Sequence, residues 1–127
     1  VSQAVPLISI IDDDESLRLA LVGLVRSFGY EGRGYASAET FLATGDAARC
    51  ACLVTDVHMP GLSGPELLVR LRAEGRRIPA ILITARVVPG LEDRALAAGA
   101  LCLLPKPFDA QLLMQCIEQV LPPAVQP

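Results

Sequence analysis

Six polar residues stand at the ends of apolar runs. Asp12, Asp13 and Asp14 follow Leu7-Ile8-Ser9-Ile10-Ile11. Asp56 follows Cys52-Leu53-Val54-Thr55, Thr84 follows Ala80-Ile81-Leu82-Ile83, and Lys106 follows residues 101–104 across Pro105. Brought together, carboxylates, a hydroxyl and an ammonium have a definite chemistry. Two carboxylates about 4 Å apart repel by roughly 4 kcal/mol at an effective dielectric near 20. Such a cluster raises one carboxylate pKa unless a cation is present. A hard divalent cation relieves the repulsion. Mg²⁺ takes one or two carboxylates and fills its octahedron with water and phosphate oxygens. A compact ammonium and a hydroxyl donor suit the oxygens of a phosphoryl group. The reaction implied is attack of an Asp carboxylate on phosphorus, giving an aspartyl phosphate.

The elements that must position these residues alternate along the chain. Residues 7–11 read as a buried strand, a short β-branched run. Leu17, Leu21, Leu24, Val25 and Phe28 then recur at helical spacing, with Asp14 as N-cap and Gly29 closing the helix. Residues 32–35 are a weak strand, and 37–43 a short helix capped by Ser37. A third strand over 52–55 leads into a loop with Pro60, Gly61 and Gly64. Ser63 and Glu66 form a capping-box pattern opening a helix with Leu67, Leu68 and Leu71 inward. A fourth strand spans 80–83. An Ala-rich helix is expected over 89–98, with Pro89 in its first turn. A fifth strand covers 101–104. Asp109 caps a last helix that turns Leu112, Leu113, Cys116, Ile117, Val120 and Leu121 to one side, with Phe108 and Leu113 placed as a hydrophobic staple. Five strands and five helices in alternation predict an α/β fold, a parallel sheet covered on both faces. Ligands in such folds bind outside the carboxyl ends of the strands, where the six polar residues fall.

Composition sets outer bounds. The chain has 127 residues, 52% of them hydrophobic, with a formal charge of −3. That suits one domain with an aliphatic core, since Trp is absent and aromatics make up 4%. Stretches without charge reach eleven residues, for example 95–105, too short for a membrane span of roughly 20. The N-terminus lacks the basic region of a signal peptide. The chain opens on Val rather than Met, which reads as a piece of a longer protein. An acidic balance disfavours direct nucleic-acid binding through phosphates. The cysteines at 50, 52, 102 and 116 match neither a zinc ribbon nor a Cys-x-x-Cys pair. They read as small buried hydrophobes in a reducing compartment, with disulfide or metal use as the alternative. Of eleven basic residues, ten are Arg and one is Lys106.

In motif and order the chain resembles the receiver domain of two-component response regulators, over about residues 5–121. The matching residues are Ile11-Asp12-Asp13-Asp14 with Arg18 downstream, Thr55-Asp56-Val57-His58-Met59-Pro60-Gly61, Ile83-Thr84-Ala85 and Lys106-Pro107-Phe108. The loop 59–64 and Glu66-Leu67 further resemble the FixJ-like branch, whose receivers usually precede a helix-turn-helix DNA-binding domain. The resemblance implies a doubly wound (βα)5 flavodoxin-like three-layer sandwich with strand order 2-1-3-4-5. It makes residues 1–121 the receiver and 122–127 a Pro-rich tail or linker.

The resemblance also implies roles. Asp56 is the phosphoryl acceptor. Asp13 and Asp56 ligate Mg²⁺, with Mn²⁺ as a substitute; Asp12 acts mainly through water, and the His58 backbone carbonyl completes the protein ligands. Thr84 is the switch hydroxyl, Lys106 pairs with the phosphoryl group, and the Lys106–Pro107 bond is often cis in the family. Arg86 and the His58 side chain stand at the pocket rim. The implied partners are a sensor histidine kinase and a second copy, through the fourth helix, fifth strand and fifth helix. The implied setting is cytoplasmic, with no membrane or direct nucleic-acid contact.

One position departs from the pattern. Receivers commonly carry Tyr or Phe three residues before the lysine, where this chain has Leu103. That leaves a phosphorylation-independent interaction domain as the alternative. A small-substrate phosphatase is disfavoured, because His58 stands where a second, acid Asp is usually needed. Dinucleotide binding is disfavoured because Gly32-x-Gly34 lacks the third glycine.

Overall fold

The computed structural model describes residues 5–121; the tail expected at 122–127 lies outside the described residues. The strands are β1 (Leu7–Ile11), β2 (Glu31–Tyr35), β3 (Cys50–Asp56), β4 (Ala80–Thr84) and β5 (Cys102–Pro105). The helices are α1 (Glu15–Ser27), α2 (Ala38–Thr44), α3 (Gly64–Ala73), α4 (Leu91–Ala97) and α5 (Ala110–Glu118), with a 3-10 turn at Asp46–Ala48. All strand pairs are parallel, in the order β2-β1-β3-β4-β5. The expected doubly wound sheet is therefore observed.

Strands β1 and β4 are buried at every position, because helices cover both faces of the sheet. Ile8, Ile10, Cys52, Val54, Ile81 and Ile83 pack with Leu21, Val25, Leu113 and Ile117, from α1 and α5. Ile11, Leu53 and Leu82 point the other way and pack with Phe41, Leu67, Leu71, Leu91 and Ala95, from α2, α3 and α4. This is the period-2 alternation of a strand feeding two cores. Each such Leu or Ile contributes about 1.5–3 kcal/mol by leaving water.

Local signals set most helix starts. Asp14 accepts from the Leu17 N–H, Ser37 from Thr40, and Asp109 from Gln111. Ser63 and Glu66 form the reciprocal capping box. Phe108 packs against the cluster containing Leu113, as the staple requires.

Five expectations need correction. α5 ends at Glu118, so Val120 and Leu121 lie beyond it. α4 begins at Leu91, leaving Pro89 outside; Gly90 precedes it at φ 82°, a left-handed conformation that breaks a helix started at Pro89. β5 is displaced by one residue from 101–104, and Leu101 lies in the turn. Leu112 is exposed, while Met114 is buried in its stead. Phe28 caps α1 and is exposed, and the buried residues of that helix are Leu21, Val22 and Val25.

Cys52 and Cys116 are buried, Cys50 and Cys102 half-buried, and all four are free thiols. Burial pushes the Cys52 thiol up to about 12, which suppresses its thiolate and hence its reactivity. Among the described residues no helix is long and apolar enough to cross a membrane.

Candidate functional site

Sheet register brings the polar residues to one edge. Ile11 pairs with Thr55, Asp56 with Ile83, and Thr84 with Pro105. The ladder runs one residue further, with Val57 N–H donating to the Ile83 carbonyl at 2.8 Å and Lys106 N–H to the Thr84 carbonyl at 2.7 Å. Asp12, Asp56, Thr84 and Lys106 thus stand at the ends of β1, β3, β4 and β5, four neighbouring strands in sheet order, at nearly the same height.

Lys106 joins the two carboxylates. Its Nζ lies 3.0 Å from Asp12 Oδ2 and 3.0 Å from Asp56 Oδ2. Asp12 and Asp56 are buried, Asp13 is exposed, and carboxylate oxygens of all three lie within 4.8 Å of one another. Burial raises the Asp12 carboxyl above its ordinary 3.8, against the Asp14 N–H and Lys106, while Asp56 adds to the rise. The expected raised carboxylate is present, but desolvation exceeds like-charge repulsion as its cause. Burial pulls the Lys106 ammonium down, yet hydrogen bonds to Asp56 and Asp12 outweigh it and leave its pKa above 10.5.

Backbone donors orient the carboxylates. Asp14 N–H donates to Asp12 Oδ1 at 2.9 Å, and His58 N–H to Asp56 Oδ1 at 3.3 Å. Thr84 Oγ1 donates to the Arg86 carbonyl at 2.9 Å and accepts from the Arg86 N–H at 3.1 Å. The His58 and Arg86 residues are exposed. Leu103 is half-buried against the cluster holding Leu82, Leu91 and Ala95. The Lys106–Pro107 bond is cis.

The sequence marked Arg18 only as lying downstream of the acidic run. The structure brings its Nη1 within 2.8 Å of the Asp12 carbonyl. Gly34 makes room for it, since a Cβ there would stand 2.9 Å from Arg18 Cγ. The signal, an Arg within the helix after the acidic run, is too common to stand alone.

The donor set is all oxygen and carries two buried carboxylates, which suits a hard divalent cation better than a soft one. A family profile for the response regulator receiver domain matches residues 8–118. The chain belongs to the response regulator receiver family. This receiver is 35% identical to the response regulator protein TodT of Pseudomonas putida over 126 residues, 99% of this chain and 56% of TodT. It is 37% identical to the transcriptional regulatory protein FixJ of Azorhizobium caulinodans over 110 residues, 87% of this chain and 52% of FixJ. Among solved structures, response regulator StyR superposes with a TM-score of 0.85 at 43% identity, covering 93% of this chain and 60% of that one. The match to FixJ supports the FixJ-like branch. The receiver spans about half the length of the curated relatives it matches. Receiver domains generally bind Mg²⁺, and Asp12, Asp13 and Asp56 fit that ion.

Proposed function

We propose that this receiver accepts a phosphoryl group from a sensor histidine kinase onto Asp56, in a Mg²⁺-dependent reaction. The observation that carries this reading is the bridge from Lys106 to both buried carboxylates. It puts one fixed positive charge beside the nucleophile and leaves Asp13 open to solvent.

The Asp56 carboxylate oxygen attacks phosphorus, a P–O bond forms, and the P–N bond to the donor's histidine breaks. Asp13, Asp56 and the His58 carbonyl would hold Mg²⁺, with Asp12 acting mainly through water. When bound, Mg²⁺ neutralises charge on the phosphoryl oxygens. Lys106 exchanges part of its contact with Asp56 for a phosphoryl oxygen. A compact ammonium, a point charge with rotatable donors, makes that exchange more readily than a planar forked guanidinium.

Thr84 reports the event. Turning its hydroxyl toward the phosphoryl group gives up both bonds to the Arg86 backbone and loosens the segment before α4. That helix is ready to respond: α1, α2, α3 and α5 have side-chain caps, whereas α4 has none. A missing cap costs about 1 kcal/mol. Leu103, packed beneath α4, transmits the shift by packing alone. Val87, Leu96, Leu101 and Leu112 are exposed around α4, β5 and α5, a surface suited to a second copy. Output then passes to an attached DNA-binding domain, in the cytoplasm. The test is a mass increase on treatment with Mg²⁺ and a small phosphodonor, lost in Asp56→Asn.

A further inference from the structure

The segment 57–64 carries His58, whose carbonyl the proposed reading assigns to the metal. Most of it is fixed by the sheet, the core and the α3 capping box. Val57 N–H is tied to the Ile83 carbonyl, and Gly64 N–H donates to the Val57 carbonyl at 3.0 Å. Met59 is buried in the cluster with Ala38 and Phe41 of α2. Ser63 N–H donates to Glu66 Oε1 at 2.9 Å within the capping box.

The tip, residues 60–62, is held by a side chain of α2. Leu62 N–H donates to Glu39 Oε2 at 2.8 Å, a contact across 23 residues of sequence. Gly61 sits against the same carboxylate. Its φ is +79°, and a Cβ there would stand 2.5 Å from Glu39 Oε2. The left-handed φ favours glycine at this position, and the close approach shows how tightly the Glu39 carboxylate sits against the loop tip. Glu39 is exposed, and its backbone is anchored by its neighbours, one residue after fully buried Ala38 and two before fully buried Phe41.

We infer that Glu39 is a positioning residue for metal binding. By accepting the Leu62 N–H it holds the loop tip, and so the direction of the His58 carbonyl. This rests on the reading that Asp13, Asp56 and the His58 carbonyl take Mg²⁺. An ordinary surface glutamate in the first turn of a helix would contribute only its charge to the helix dipole. The two roles separate in Glu39→Gln, which keeps an acceptor oxygen and loses the charge.

The test is calorimetric titration of MgCl2 into the unphosphorylated chain, with amide hydrogen exchange at Leu62 measured alongside. Outer partners of metal ligands typically matter by 10–100-fold, and Glu39 acts further out, so Glu39→Ala should weaken Mg²⁺ binding about 5–10-fold. Leu62 exchange should accelerate in the same variant. Glu39→Gln should stay near wild type in both measurements. Gly61→Ala, which strains the left-handed turn at the loop tip that Glu39 holds, should weaken Mg²⁺ binding as Glu39→Ala does. Wild-type Mg²⁺ affinity in folded Glu39→Ala would overturn the inference alone, as would equal losses in Glu39→Gln and Glu39→Ala. Absence of saturable Mg²⁺ binding by the wild type, or its survival in Asp13→Asn and Asp56→Asn, would overturn the underlying reading as well.

Discussion

Lys106 Nζ stands 3.0 Å from Asp56 Oδ2, joining residues 50 positions apart in sequence. The same nitrogen reaches Asp12 Oδ2. Removing it leaves two buried carboxylates facing each other. Lys106→Ala should therefore lose about 2 kcal/mol of unfolding free energy at pH 7, the size of a hydrogen bond to a charged group. Urea unfolding measures this, and millimolar Mg²⁺ should restore part of it. Lys106→Arg keeps the charge and should fold, yet switch poorly; normal phosphorylation-dependent output in that variant would contradict the role of a compact ammonium.

Asp12 gives the unliganded domain a pH dependence with a defined sign. Its folded pKa is raised above 3.8, chiefly by burial. As pH rises from 3.8 through that value, the folded state binds more protons than the unfolded state. Stability contributed by this group then falls with rising pH across the window. Asp12→Asn should accordingly be more stable than wild type at pH 7 without metal, with the difference shrinking toward pH 4. Chemical denaturation at several pH values checks it.

Thr84 and Arg86 form a second pairing, hydroxyl to backbone in both directions. Thr84→Ala should still take up phosphoryl but fail to change assembly. Thr84→Ser, retaining the hydroxyl, should behave as wild type. Light scattering with a phosphoryl mimic separates these outcomes: mass should about double for wild type and Thr84→Ser as monomers pair. Unchanged mass for wild type would remove dimerisation as the output.

Gly64 is required for a steric reason. A Cβ there would meet the Asp56 carbonyl oxygen at 2.5 Å and Leu82 Cδ2 at 3.2 Å. Gly64→Ala should cost about 1–3 kcal/mol, the range for overpacking a filled core, and displace Asp56. Thermal unfolding and phosphorylation rate should fall together.

Strands β1, β3 and β4 were legible because both sheet faces are covered, which writes near-continuous apolar runs into the sequence. β2 was faint for a physical reason. It is an edge strand, and its glycines answer to α1 rather than to strand propensity: a Cβ at Gly32 would stand 2.7 Å from Val25 Cγ2. The start of α4 was misplaced because Pro89 suits a first turn as well as a preceding loop, and Gly90 decides between them only through its observed φ. The residues grouped at the end of the sheet are readable because each closes a strand or stands just after one. Glu39 was not. Its partner lies 23 residues away, and nothing local to α2 marks the contact. Arg18 was visible as a residue but not as a donor to the Asp12 carbonyl.

The central claim is that Asp56 is the phosphoryl acceptor, and intact-protein mass measures it most directly. Incubated with Mg²⁺ and a small phosphodonor, the wild-type chain should gain about 80 Da, one phosphoryl group. Asp56→Asn should gain nothing, and chelating Mg²⁺ should abolish the wild-type gain. The same mass increase in Asp56→Asn would contradict the assignment.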